Sequence, residues 1–170
     1  MEKSMQGIIV ENKSNTYCIK SNNEIYEAVA RGRLKNENLN PVVGDKVQFE
    51  ILNEEKKEAV IEKIEERTVY IKRPKMSNIT KIILVVSCKH PKPDLLLLDK
   101  QLIFAEWLKI KPVIVLNKID LDSKNDYEEI ENIYSDLGYK VITTNAKGNI
   151  GIDKLLEELK GEISAFSGNS

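Results

Sequence analysis

Histidine is almost absent from this sequence. A single one, His90, stands among 170 residues, so a histidine-based triad and a multi-histidine metal site are both excluded. Its ordinary role is that of a loop residue beside Pro91. Cysteine is nearly as scarce: Cys18 and Cys88 lie far apart and make neither a disulfide framework nor a metal-type pair. They read as reduced cytosolic thiols. Long apolar runs are missing as well, and none approaches the roughly 18–20 residues that a transmembrane helix requires. The opening residues "MEKSMQGIIVEN" lack the apolar stretch of a signal peptide, so a cytoplasmic protein without a membrane partner is expected. Charge of one sign is lacking too. The formal net charge is −1, which gives no global attraction to nucleic acid or to an anionic membrane. No G-x-G-x-x-G follows any strand, which disfavours a dinucleotide-binding protein.

What is present has two regimes. The chain is 41% hydrophobic and 31% charged, ordinary for a folded protein, and its length suits one good domain or two small ones. Before about residue 70, short strand-like runs are punctuated by Asn, Gly, Asp and Ser: 7–10 "GIIV", 16–20 "TYCIK" and 24–30 "EIYEAVA", with "NKSN" and "SNN" as turns. After the "PVVGD" turn, Val47, Phe49 and Ile51 alternate with polar neighbours at a period of two. A fifth run, 58–64 "EAVIEKI", completes the set. Five short strands in so little chain suit a small closed barrel of the oligonucleotide-binding (OB) type over residues 1–70.

Over residues 71–170 strands alternate with helices, which specifies a parallel α/β sheet. The strands are 81–86 "KIILVV", 112–116 "PVIVL", 140–144 "KVITT" and 163–166 "ISAF". Asp94 is placed to cap a helix through about residue 110, with Leu95, Leu98, Leu102, Ala105 and Leu108 as its buried stripe. Tyr127, Ile130, Ile133, Tyr134 and Leu137 form the face of a second helix, and Ile152, Leu155, Leu156 and Leu159 that of a third. Gly138 and Gly161 close them.

Ligands of open parallel sheets bind at the carboxyl ends of the strands, and after "PVIVL" stands Asn117-Lys118-Ile119-Asp120. A carboxylate there accepts two hydrogen bonds from the ring N–H and exocyclic amine of guanine, whereas adenine leaves it unpaired at high cost. The Lys118 stem can lie along the base, and Asn117 can tie this loop to its neighbours. The competing role for Asp120 or Asp122 is to cap the next helix. One strand-helix unit later comes Thr144-Asn145-Ala146-Lys147-Gly148, where the Ala146 N–H can reach the guanine keto oxygen.

"NKID", then a "TNAK" loop, then a strand and "GNS" resembles the motif order of a circularly permuted GTPase. With a small barrel ahead carrying "ARGRL" and "PVVGD", the chain resembles the RsgA family of ribosome small-subunit-dependent GTPases over essentially its whole length. The resemblance implies an OB-type barrel followed by a partial, circularly permuted P-loop GTPase domain. It also implies GTP or GDP with Mg2+ as ligand, and a GTPase stimulated by the small ribosomal subunit during that subunit's late maturation. Asn117, Lys118, Asp120, Asn145, Ala146 and Lys147 then hold the base. Gly168, Asn169 and Ser170 open the phosphate loop. Asn145 departs from the family's usual serine.

By the same resemblance the chain is expected to stop at the start of the phosphate loop. Catalytic residues, metal ligands and a structural Zn2+ domain are therefore expected beyond it, and the chain alone is expected to bind guanine nucleotides only weakly and not to hydrolyse GTP. The barrel is expected to contact rRNA of the small subunit, as a monomer. Residues 1–72 hold 12 Lys/Arg against 13 Asp/Glu, so a basic surface must be local. Arg31, Arg33 and Lys35 in "RGRLK" and Lys72, Arg73 and Lys75 in "KRPK" are the candidates. A rival reading makes the protein an RNA-binding module whose α/β half is a scaffold without nucleotide.

Overall fold

The computed structural model describes residues 4–32, 34, 40–124 and 126–168. The chain divides into two compact units, Met1–Asn78 and Ile79–Ser170.

The first unit is a closed barrel of β1 (Ser4–Lys13), β2 (Thr16–Ser21), β3 (Glu24–Ala30), β4 (Lys46–Asn53) and β5 (Glu58–Ile64) in the order β1-β2-β3-β5-β4. Only the β3–β5 pair is parallel. The expected "SNN" turn is a two-residue hairpin: Asn22 and Asn23 both have left-handed backbone, φ 49° and 66°, the twist that such tight hairpins need. Period-two alternation sends Ile9, Ile19, Tyr26, Val47, Phe49 and Ile61 inward, each at most 2% exposed. The Tyr26 and Phe49 rings meet at 5.2 Å between centroids. Closure leaves the barrel without a free edge for unwanted pairing.

The "PVVGD" turn has a definite job. Asp45 is fully buried, and its carboxylate accepts from Arg67 Nε (2.7 Å) and Nη2 (2.8 Å), Ser77 Oγ (2.6 Å) and the Val42 N–H (2.8 Å). A buried charge this well satisfied ties β4 to the segment after the barrel. Gly44 sits there at φ 92°, and a Cβ would lie 1.9 Å from the Ser77 carbonyl oxygen. The tied segment is a short hairpin, β6 (Tyr70–Lys72) and β7 (Lys75–Ser77), absent from the sequence expectations.

The second unit runs β8 (Lys81–Ser87), α1 (Leu95–Trp107), β9 (Lys111–Asn117), a 3-10 turn (Ile119–Leu121), α2 (Tyr127–Asp136), β10 (Lys140–Thr144), α3 (Ile152–Leu159) and β11 (Ser164–Gly168). All pairs are parallel, in the order β10-β9-β8-β11. Right-handed crossovers put α1 and α2 on one face, and the reversal toward β11 puts α3 on the other. Tyr134 on α2 accordingly donates to Asp99 on α1 at 2.7 Å. Leu155 and Leu159 of α3 pack on Ile83, Val113, Val115 and Ile142.

Asp94 caps α1, accepting from the Leu97 N–H at 2.9 Å, and Leu98, Leu102 and Ala105 are buried. The other two helices bury less than their spacing suggests. Ile133, Leu137 and Leu156 are 45%, 67% and 56% exposed. α2 lies against β10, a five-residue strand at the sheet's border that covers only a narrow strip of it, while α3 meets the sheet through Leu155 and Leu159.

Candidate nucleotide-binding site

The carboxyl edge of the sheet brings two of the expected loops together, those after β9 and β10. Asn117 ends β9 beside Thr144, its register partner at the end of β10. Its Oδ1 accepts from Thr144 Oγ1 (3.1 Å) and from the Ala146 N–H (3.2 Å). One side chain thus joins the two loops, and the N–H expected to face a keto oxygen is held by Asn117 meanwhile. Asn145 pairs with Ile150 through both backbone groups, while its side chain accepts from the Gly148 N–H at 3.0 Å. That is a turn-closing role, which a serine hydroxyl fills more weakly. Lys147 is exposed on the same loop.

After Asn117 the backbone turns sharply: Lys118 is left-handed at φ 67°, and its carbonyl accepts from the Leu121 N–H at 3.0 Å to close the 3-10 turn. The Lys118 ammonium donates to the His90 carbonyl, which fixes the direction of the stem. The two carboxylates that follow have separate fates. Asp122, only 3% exposed, accepts from the Tyr127 N–H at 2.9 Å and so caps α2. Burial works against its ionised form, but that hydrogen bond and Lys89 outweigh it and hold the carboxyl below the usual range. Asp120 is exposed and has no partner among the described residues.

Gly168 ends β11 in register with Val85 of β8, two strands from β9 and so about 10 Å across the sheet. Asn169 and Ser170 lie outside the described residues. Among the described residues no three His, Cys, Asp or Glu side chains converge so as to hold a metal. An all-protein cage of that kind is what a structural Zn2+ needs, whereas Mg2+ usually takes most of its ligands from phosphates and water. A cavity of about 630 Å³ opens at the opposite, amino edge, lined by Lys81, Lys111 and Lys140 and by the ends of α1 and α2. Two helix carboxyl termini bring partial negative charge there, which suits the lysines and opposes a phosphate.

Of the barrel's candidate cations, Arg31 is already paired, 2.7 Å from Glu62 and 3.7 Å from Glu50. Arg33 and Lys35 lie outside the described residues. Lys72, Arg73 and Lys75 are exposed together on the β6–β7 hairpin. Lys89 is a part of the α/β site that the sequence did not single out, and the partners of His90 and Thr144 there, Lys118 and Asn117, were not legible in it. A backbone carbonyl or a buried hydroxyl as partner leaves no spacing to read.

A parallel sheet with an Asn-Lys-Ile-Asp turn at the end of one strand and an Ala N–H tied to that asparagine has the architecture of a GTPase-class α/β domain, preceded in sequence by an OB-like barrel. The chain belongs to the RsgA GTPase family: the model of the RsgA GTPase domain matches residues 64–170, and that of the RsgA N-terminal domain residues 6–61. Among curated relatives, the small ribosomal subunit biogenesis GTPase RsgA of Clostridium acetobutylicum is 40% identical over 166 residues, 98% of this chain and 57% of the relative. Its counterpart in Alkaliphilus metalliredigens is 37% identical over 165 residues, 97% of this chain and 56% of the relative. The chain thus spans a little over half the length of these relatives. Two solved structures share the fold. YjeQ from Thermotoga maritima has a TM-score of 0.86 at 33% identity, and YloQ, a circularly permuted GTPase, 0.83 at 27%. Each match covers 99% of this chain and 61% of the other.

Proposed function

We propose that the protein is a guanine-nucleotide-binding factor that acts as a GTPase in late maturation of the small ribosomal subunit, working in the cytoplasm as a monomer. One observation carries the nucleotide reading: Asp122 takes the helix-capping duty, which leaves Asp120 exposed and uncommitted at the carboxyl edge. An aspartate with no structural task, beside a lysine stem and an amide tied to Asn117, is the arrangement that a guanine edge completes. Asp120 accepts from the ring N–H and exocyclic amine, Lys118 lies along the base plane, and the Ala146 N–H exchanges Asn117 for the keto oxygen. Asn145 and Lys147 shape that loop, and Gly168, Asn169 and Ser170 lead toward the phosphates. Bound nucleotide brings Mg2+ with its phosphates in proteins of this class, and a structural Zn2+ belongs to the family's further domain.

The barrel is the RNA-contacting part, and its exposed hairpin cations Lys72, Arg73 and Lys75 are the side chains suited to rRNA phosphates. Calorimetric titration with GDP, IDP and ADP tests the nucleotide reading. GDP binding at least about tenfold tighter than ADP is expected, because adenine leaves Asp120 unpaired. Equal affinities for GDP and ADP would sink it.

A further inference from the structure

The loop after β8 touches the base-recognition turn at three places, none through apolar packing. The Cys88 N–H donates to the Asn117 carbonyl at 2.9 Å, extending the β8–β9 ladder past the end of the strands. The His90 carbonyl, presented by a left-handed residue at φ 51°, accepts from the Lys118 ammonium. Lys89 reaches across to α2, with its Nζ 3.4 Å from Asp122 Oδ1 and 3.4 Å from Asp126 Oδ2. Ser87 Oγ donates to the Lys89 carbonyl at 2.5 Å, which holds the loop's first turn.

The Lys89 contact is the one that a side chain of the loop itself makes. Beneath it lies a cavity of about 260 Å³ between the loop and the start of α2, so charge rather than packing spans this gap. Asp122 Oδ1 is buried and has no hydrogen bond; at 3.4 Å the lysine supplies an ion pair of poor hydrogen-bond geometry. The hydrogen bond to Asp126 and the charge of Asp122 push the Lys89 ammonium up, and burial pushes the neighbouring Cys88 thiol up to about 11. The gap therefore sets the Lys89 ammonium between the Asp122 and Asp126 carboxylates and beside a neutral thiol, with Lys92 also on its wall.

We propose that Lys89 is a positioning residue for base recognition: by bridging to Asp122 and Asp126 it holds the 88–90 loop against the 117–122 turn, so that His90 aims Lys118 and the turn presents Asp120. This rests on the guanine reading of Asp120, but its tests separate the two. Lys89 is not among the side chains assigned to the base. Its effect reaches the base through the angle of the 3-10 turn, because Asp122 is both its partner and the residue two after Asp120.

The experiment compares Lys89→Met, Lys89→Arg and Asp126→Asn with the parent protein. Titrations with GDP and IDP report the exocyclic amine, which only a correctly placed Asp120 reads. Lys89→Met should weaken GDP about three- to tenfold and IDP less, so that the GDP/IDP ratio falls. Lys89→Arg should restore the ratio to within about twofold, and Asp126→Asn, at an exposed site, should give a smaller loss in the same direction. Amide exchange in the nucleotide-free protein supplies a second arm, with the Cys88 and Leu121 N–H groups expected to exchange several-fold faster in Lys89→Met. A Lys89→Met protein that melts earlier but keeps both the ratio and the exchange rates would overturn the proposal. If the parent protein shows no preference for GDP over ADP, the guanine reading fails instead, and unchanged exchange at Leu121 would still reject Lys89 as the clasp. Should Lys89→Met not fold, Asp126→Asn alone decides by the same two readouts.

Discussion

Replacing Asp120 by asparagine tests the base site with almost no structural confounder. The side chain is exposed and has no partner among the described residues, so folding stability should change by no more than about 0.5 kcal/mol. The ligand consequence is large. Guanine offers donors at both the ring nitrogen and the exocyclic amine, and a carboxylate accepts from both at roughly 1.5–3 kcal/mol each. Asparagine keeps one acceptor and points an N–H at the amine, which loses one bond and creates a donor–donor conflict. A loss of about 2–4 kcal/mol follows, or some 30- to 1,000-fold in GDP affinity. Xanthine carries a carbonyl in place of the amine, so the same asparagine pairs with it at both positions and XDP should bind better than GDP. Titration of both nucleotides in a chain with a complete phosphate loop, run beside thermal melts, reads ligand and fold separately. Asp122→Ala is the counterpart: it removes the α2 cap and should lower the melting temperature by a few degrees without turning preference toward xanthine. An unchanged GDP/XDP ratio in Asp120→Asn, or a clear loss of stability there, would refute the division of labour between the two carboxylates.

Asn117→Ala should destabilise by about 2 kcal/mol, because Thr144 is 1% exposed and its hydroxyl loses its acceptor; a variant that melts with the parent would contradict this. Lys81 donates to the Glu158 carbonyl (2.6 Å) and carboxylate (3.0 Å) and lies 3.5 Å from Glu162, so Lys81→Ala should cost about 2–3 kcal/mol in denaturant titration, and full stability would be the refuting result. Lys81 holds the Glu158 carboxyl below its ordinary value of 4.5. Its contribution is therefore present above pH 4.5 and lost as pH falls through the lower folded value, and Lys81→Ala should flatten that acid limb. Reversing Lys72, Arg73 and Lys75 to Glu should leave the melting point unchanged, weaken binding to small-subunit RNA and reduce the salt slope by about 2. Binding that keeps both its strength and its slope would place the RNA contact elsewhere.

What the sequence disclosed follows from where each residue's partner lies. The barrel strands were legible because closure buries every second residue, and Val47, Phe49 and Ile51 wrote that alternation directly. The β6–β7 hairpin was not, since strands of three residues are too short to show a period. It exists because Asp45 binds Ser77 and Arg67 at long range. Ile133, Leu137 and Leu156 continue the apolar spacing of their helices, but spacing cannot say how wide a strip of each helix the sheet will cover. The same logic divides the candidate site. "NKID" was readable because, under the proposed function, its aspartate aims at a base outside the protein, so the motif carries its meaning without a partner elsewhere in the chain. Whether Asp120 or Asp122 was that aspartate depended on the 3-10 turn at Ile119–Leu121, which swings Asp122 back to the Tyr127 N–H. The turn in turn depends on a left-handed Lys118 whose ammonium ends on a backbone carbonyl, a partner every residue possesses and no sequence marks. Asn117 shows the limit most sharply. It belongs to the recognisable motif, yet its side chain is turned inward to Thr144 and Ala146, so under the proposed function it would act on a base only through the loop it holds.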